Sequence, residues 1–101
     1  MKLNEHQARA LQDACDDEDL RFRRDYSGRG MYGKECIGIT ADDLGSVLRV
    51  METLHDAYSY EDEAVGAMYR ALVDNSPRSD NMGLSTIFYW PSISVDEDAV
   101  L

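Results

Sequence analysis

The chain has 101 residues, with 20 Asp and Glu against 10 Lys and Arg, and a formal net charge of −10. Its length suits one domain spanning residues 1–101, and an apolar share of 44 % supplies one modest core, which argues against wholesale disorder. The acidic excess argues against gripping nucleic-acid backbone or an anionic membrane surface, because both need Lys and Arg.

The first element reads as a helix over about residues 5–16. Asn4 with Gln7 three residues later is a capping-box pattern. Ala8, Leu11, Ala14 and Cys15 share one face, but that face is thin in large side chains, so weak or peripheral packing is expected. The run Asp16–Asp19 ends the helix, since acidic charge is unfavourable at a helix C-terminus.

Residues 20–26 alternate as a half-buried strand, with Leu20, Phe22 and Tyr26 on one parity and Arg24 interrupting that apolar face. A glycine-rich loop, Ser27 to Gly33, leads to a second strand over 34–39, and the pair is expected to form an antiparallel hairpin. Thr40 followed by Ala41, Asp42 and Asp43 is an N-cap signature. Leu44, Val47, Leu48, Met51 and Leu54 then form the stripe of a second helix reaching about Ala57. Ser59 with Asp62 reads as a further cap. Val65, Met68, Tyr69, Leu72 and Val73 are the stripe of a third helix ending near Asp74. Residues 78–83 read as a turn-rich connection, and Leu84–Trp90 as a third strand of strong β formers. Its alternation sets Tyr89 on the face opposite Phe88 and Trp90. Either one of those faces is open to a partner or both are covered. The acidic tail, 96–101, is expected to fray.

The predicted order is thus α-β-β-α-α-β. It describes an α+β fold, a small antiparallel sheet of about three strands packed against two or three helices.

The N-terminal segment lacks the long apolar run of a signal peptide, and no stretch approaches the ~20 apolar residues of a membrane span. Cys15 and Cys36 do not make a disulfide scaffold and are read as reduced and at least partly buried, in a cytoplasmic protein. Neither His6 nor His55 is spaced to complete a zinc site with them, so no metal and no cofactor is expected.

Two regions could bind something. Gly28-Arg29-Gly30-Met31-Tyr32-Gly33 has the form G-x-G-x-x-G, and Lys34 brings it near a phosphate-binding loop. Glu35 stands where that loop needs Ser or Thr, and a strand follows where a helix N-terminus should meet the anion, so nucleotide hydrolysis is not expected. A weaker reading is an anion-binding nest built from Arg23, Arg24, Gly28, Arg29, Gly30, Tyr32, Gly33 and Lys34, with an anionic nucleotide as ligand. A plain hairpin whose glycines supply positive φ is the preferred reading. The second region is acidic. Residues 41–101 carry a net charge of −9, with Asp42, Asp43, Glu52 and Asp56 along the second helix and Glu61, Asp62 and Glu63 at the start of the third. These carboxylates either imitate a phosphate array or simply solubilise the surface. No convergent acid, base, nucleophile or metal set appears, so an enzyme is not expected.

The segment Asp25–Ile39, with Tyr26-Ser27-Gly28-Arg29-Gly30-Met31-Tyr32-Gly33 and Cys36 before Gly38-Ile39, resembles a signature of small proteins encoded by bacteriophages and prophages. Asp80-Asn81-Met82-Gly83, followed by Ile87-Phe88-Tyr89-Trp90-Pro91, resembles its C-terminal companion. The resemblance implies a phage setting and carries no catalytic residues. It implies a non-enzymatic accessory protein in the host cytoplasm that binds and inhibits a host protein, such as a nucleic-acid-binding defence complex, in the manner of an anti-CRISPR inhibitor. The alternatives are a nucleotide-sequestering protein and a structural or assembly accessory; a homodimer is compatible with each.

Overall fold

A computed structural model describes residues 2–26, 36–59, 61–73 and 78–96, with the backbone alone at Arg78 and Met82. Its elements are β1 (Lys2–Leu3), α1 (Glu5–Asp17), β2 (Arg21–Tyr26), β3 (Cys36–Ala41), α2 (Leu44–Tyr58), α3 (Glu63–Val73), β4 (Arg78–Met82), β5 (Ser85–Trp90) and β6 (Ser94–Val95). The fold is α+β. Among the described residues, four strands form an antiparallel sheet in the order β2-β3-β5-β4, and β1 pairs with β6 in parallel.

The first helix begins as its sequence predicts. Asn4 Oδ1 accepts from the Gln7 backbone N–H at 2.9 Å, and Gln7 Oε1 accepts from the Asn4 N–H at 3.0 Å. Its end is set by backbone geometry. Asp19 takes a left-handed φ of 58°, its N–H donates to Asp16 O, and the Leu20 N–H donates to Cys15 O. This pair of bonds is a Schellman closure, with aspartate in the position usually held by glycine. The helix is not peripheral. Leu11 and Cys15 are fully buried and join α2 and the sheet in the main core. Its small residues, Ala8 and Ala14, read as a thin face, yet small side chains let neighbouring elements approach closely.

The sheet has two buried faces. Towards the helices, Phe22, Ile37, Ile39, Phe88 and Trp90 meet Val47, Val50, Met51, Leu54, Val65, Met68 and Leu72. Trp90 Nε1 donates to Met68 O at 3.3 Å, which satisfies its buried polar atom. On the outer face, Tyr26, Cys36, Ile87 and Tyr89 form a second cluster. Its parity in the sequence places Tyr26 beside Phe22. The pairing shifts register between Arg23 and Tyr26, and this irregularity leaves Tyr26 in the outer cluster while Phe22 stays in the main core. Gly38 leaves room for Ile87: a Cβ there would lie 3.1 Å from Ile87 Cδ1, and that side chain would have to give by a few tenths of an ångström.

Several local expectations are corrected. Residues 78–82 form β4, although Asp and Asn are poor strand formers, because the length of β5 offers them a ladder. Gly83, at φ +78°, turns the chain between β4 and β5, and Leu84 in that turn is fully exposed. Thr40 lies within β3, and Asp43 caps α2. Ser59, at φ 63°, closes α2, while Asp62 Oδ1 accepts from the backbone N–H groups of Ala64 and Val65 and so caps α3. At the C-terminal end, the Asp96 N–H donates to Leu3 O at 2.8 Å, so the tail is tied as far as that residue. Residues 97–101 lie outside the described residues.

The packing of α1 is testable. Leu11→Ala should lower stability by about 2–5 kcal/mol, the range for truncating a fully buried leucine. Chemical denaturation of both proteins measures it; a loss under about 0.5 kcal/mol, the range of ordinary surface substitutions, would return α1 to a peripheral role.

Candidate functional site

The acidic candidates divide by the work they do in the fold. Asp43 Oδ1 accepts from Ser46 N at 2.8 Å and from Ser46 Oγ at 3.0 Å, and these bonds hold its carboxyl below the usual range. Asp62 caps α3 and also accepts from Gln7 Nε2 at 2.7 Å, which joins α1 to α3. Asp43 is exposed all the same and Asp62 half-buried, while Asp42, Glu52, Asp56, Glu61 and Glu63 are exposed. Asp42 stands apart from the rest, since α2 separates it from Asp56 by roughly 20 Å at 1.5 Å per residue.

Glu52 and Asp56 lie one helical turn apart on α2. They line an open groove of about 520 Å³ with Leu48, His55, Tyr69 and Val73. Leu48 and Tyr69 are half-buried, and Val73 remains 48 % exposed. In the sequence these three apolar residues belong to the core stripes of two helices. The available signal was their position at the margins of those stripes, where packed helices meet at a seam.

The basic candidates separate as well. Arg24 points to the helix side and makes a two-bond pair with Glu5, at 2.7 and 2.8 Å. Arg9 also reaches Glu5 at 3.3 Å. The bonds to Arg24, opposed in part by desolvation, bring the Glu5 carboxyl down to about 2. Arg23 is exposed on the other side of β2, with its guanidinium 5.8 Å from the centre of the Tyr26 ring. Strand alternation thus sends Arg23 and Arg24 to opposite faces, and they cannot line one nest. Gly28, Arg29, Gly30, Tyr32, Gly33 and Lys34 lie outside the described residues.

The aromatic strand is covered on both sides: Phe88, Tyr89 and Trp90 are all buried. The Tyr26 hydroxyl donates to Asp80 Oδ2, and its ring is tilted against Tyr89 at 5.3 Å. Burial, reinforced by Asp80, pushes the Tyr26 hydroxyl up to about 12. Cys15 and Cys36 are both buried and unbridged, and burial raises both thiols, Cys15 to about 12. They are poor nucleophiles at neutral pH. Among the described residues no group of three or more His, Cys, Asp or Glu could hold a metal ion, and no helix is long and apolar enough to cross a membrane.

Compared with known proteins, the chain matches no family model, no curated protein and no solved structure.

The Arg24–Glu5 pair predicts a pH dependence. Because folding depresses the Glu5 pKa, its contribution is complete above about pH 4.5 and disappears as the pH falls through about 2. Arg24→Gln should therefore lower the melting temperature at pH 6 and narrow its gap from the parent protein by pH 2. Thermal unfolding across that interval checks it; a gap constant with pH would assign the loss to packing instead.

Proposed function

We propose that this protein is a non-enzymatic binding protein that docks its acidic helical layer on a basic surface of a partner protein. The carrying observation is the groove between α2 and α3, where Glu52 and Asp56 stand beside Leu48, Tyr69 and Val73. Carboxylates one turn apart attract Lys and Arg side chains and steer the encounter, while the apolar wall supplies area to bury after contact. Glu61 and Glu63, at the start of α3, extend the negative field. A surface of this kind suits a partner whose basic groove ordinarily receives nucleic acid, because it competes for the same cations. In the phage setting implied by the sequence resemblance, the partner is a host nucleic-acid-binding defence complex and the result is inhibition, as for an anti-CRISPR protein.

The test begins with affinity capture from host lysate and then measures binding to the purified partner. Binding should weaken steeply between 50 and 300 mM salt and should be displaced by nucleic acid. The double substitution Glu52→Gln with Asp56→Asn should reduce affinity about tenfold or more, equivalent to about 1.4 kcal/mol. Affinity indifferent to salt, nucleic acid and the double substitution would overturn the reading.

A further inference from the structure

The outer face of the sheet carries a second, chemically different site. Beyond the cluster of Tyr26, Cys36, Ile87 and Tyr89 lies a pocket of about 390 Å³, lined chiefly by Asp19, Arg21, Arg23, Thr40, Asp42 and Ser85. Strand register explains why these residues meet. Arg21 lies opposite Thr40, and Arg23 two residues on shares its face. Asp42 follows Thr40 by two residues, and Ser85 precedes Ile87 by two. Asp19 arrives from the left-handed turn that closes α1. Helix termination, β2, β3 and β5 thus converge on one concavity, where Leu20 and Ala41 lie among the polar side chains.

Among the described residues its charges are left uncombined. Three arginines elsewhere are paired: Arg9 and Arg24 with Glu5, and Arg49 with Glu18. Among the described residues, neither Arg21 nor Arg23 lies within 4 Å of a carboxylate oxygen, although Asp19 and Asp42 line the same pocket. Arg23 lies over the Tyr26 ring instead, 5.8 Å from its centre, a contact with the π face that uses no carboxylate. The lining holds two cations and two anions, formally neutral in a chain of charge −10. A simple anion would meet the carboxylates as well as the guanidinium groups, and a simple cation would meet the reverse. A molecule bearing both charges satisfies both sets. The volume lies within the roughly 300–1,000 Å³ of small-molecule sites.

We propose that this pocket binds a small zwitterion, its phosphate or carboxylate on Arg21 and Arg23 and its primary ammonium on Asp19 and Asp42. Thr40 and Ser85 supply hydroxyls that can donate to the anionic end. Asp42 lies one residue past β3 and two past Thr40, the cross-strand partner of Arg21, so the cationic and anionic ends of the site are spaced apart. The two charged ends of the ligand must therefore be separated by several bonds. This site lies at the end of the sheet where β2 begins and β3 ends, and it shares no lining residue with the proposed docking groove.

Titration of the full chain, followed by backbone amide resonances, tests it with phosphoethanolamine and β-alanine as zwitterions and with inorganic phosphate and ethanolamine as their separate halves. At least one zwitterion should give saturable shifts at Arg21, Arg23, Thr40 and Asp42, at least tenfold tighter than either half; comparison of the two identifies the preferred anionic end. Arg21→Gln with Arg23→Gln should abolish those shifts, and Asp42→Asn should reduce zwitterion affinity to that of the anion alone. All three positions are exposed, and an unchanged melting temperature confirms that each variant folds. Zwitterions binding no better than their halves, no saturable binding, or full affinity in Asp42→Asn would each overturn the proposal.

Discussion

Cys36 and Ile37 are both inaccessible to solvent, yet they belong to opposite faces of β3. A chain of 101 residues must therefore cover both sides of a sheet rather than one. Helices supply one side, and α1 is drawn into that layer with α2 and α3. On the other side, the outer cluster is assembled from four side chains on three strands, Tyr26 from β2, Cys36 from β3, and Ile87 and Tyr89 from β5. The register shift in β2 and the missing side chain at Gly38 are two devices that make this cover fit. Asp80, on the polar strand β4, adds the carboxylate that satisfies the Tyr26 hydroxyl.

The same economy governs charge. Twenty carboxylates look like surplus in the composition, but several have structural duties. Asp43 and Asp62 satisfy helix N-termini, Glu5 holds Arg24 at the edge of the main core, and Glu18 holds Arg49. Asp62 does double service, because its second oxygen accepts from the buried Gln7 amide. The net charge thus overstates the acidic surface available to a partner, and residue-level partners decide which carboxylates remain.

Much of the architecture was legible because it rests on periodicity and local caps. The three helices, the first two sheet strands and the opposition of Tyr89 to Phe88 and Trp90 follow from spacing alone. What escaped depended on partners distant in sequence. β4 has the composition of a turn and becomes a strand because β5 lies beside it. Tyr26 keeps the parity of Phe22 in the sequence, and only the pairing with β3 reveals the extra residue that turns it outward. Ser59 and Asp62 read as one cap in the sequence, yet their roles belong to two different helices: a left-handed backbone ends one, and a carboxylate starts the next. For the candidate site, Glu52 and Asp56 could be chosen from sequence, but Leu48, Tyr69 and Val73 could not be distinguished from core before α2 and α3 were packed together.

Arg23 and Arg24 show how one residue of separation can divide binding from folding. In the sequence they form a single basic doublet. Alternation along β2 sends Arg24 towards α1, where Glu5 engages it with two hydrogen bonds, and leaves Arg23 at the polar end of the outer face. The first is spent on holding a helix against a strand. The second lies over an aromatic ring and lines the outer pocket. Between them lies the sheet itself, so a ligand held by Arg23 and a partner docked on the helices approach the protein from opposite sides. Occupancy of one region therefore has no steric reason to exclude the other, and any coupling between them must pass through the packed side chains of β3.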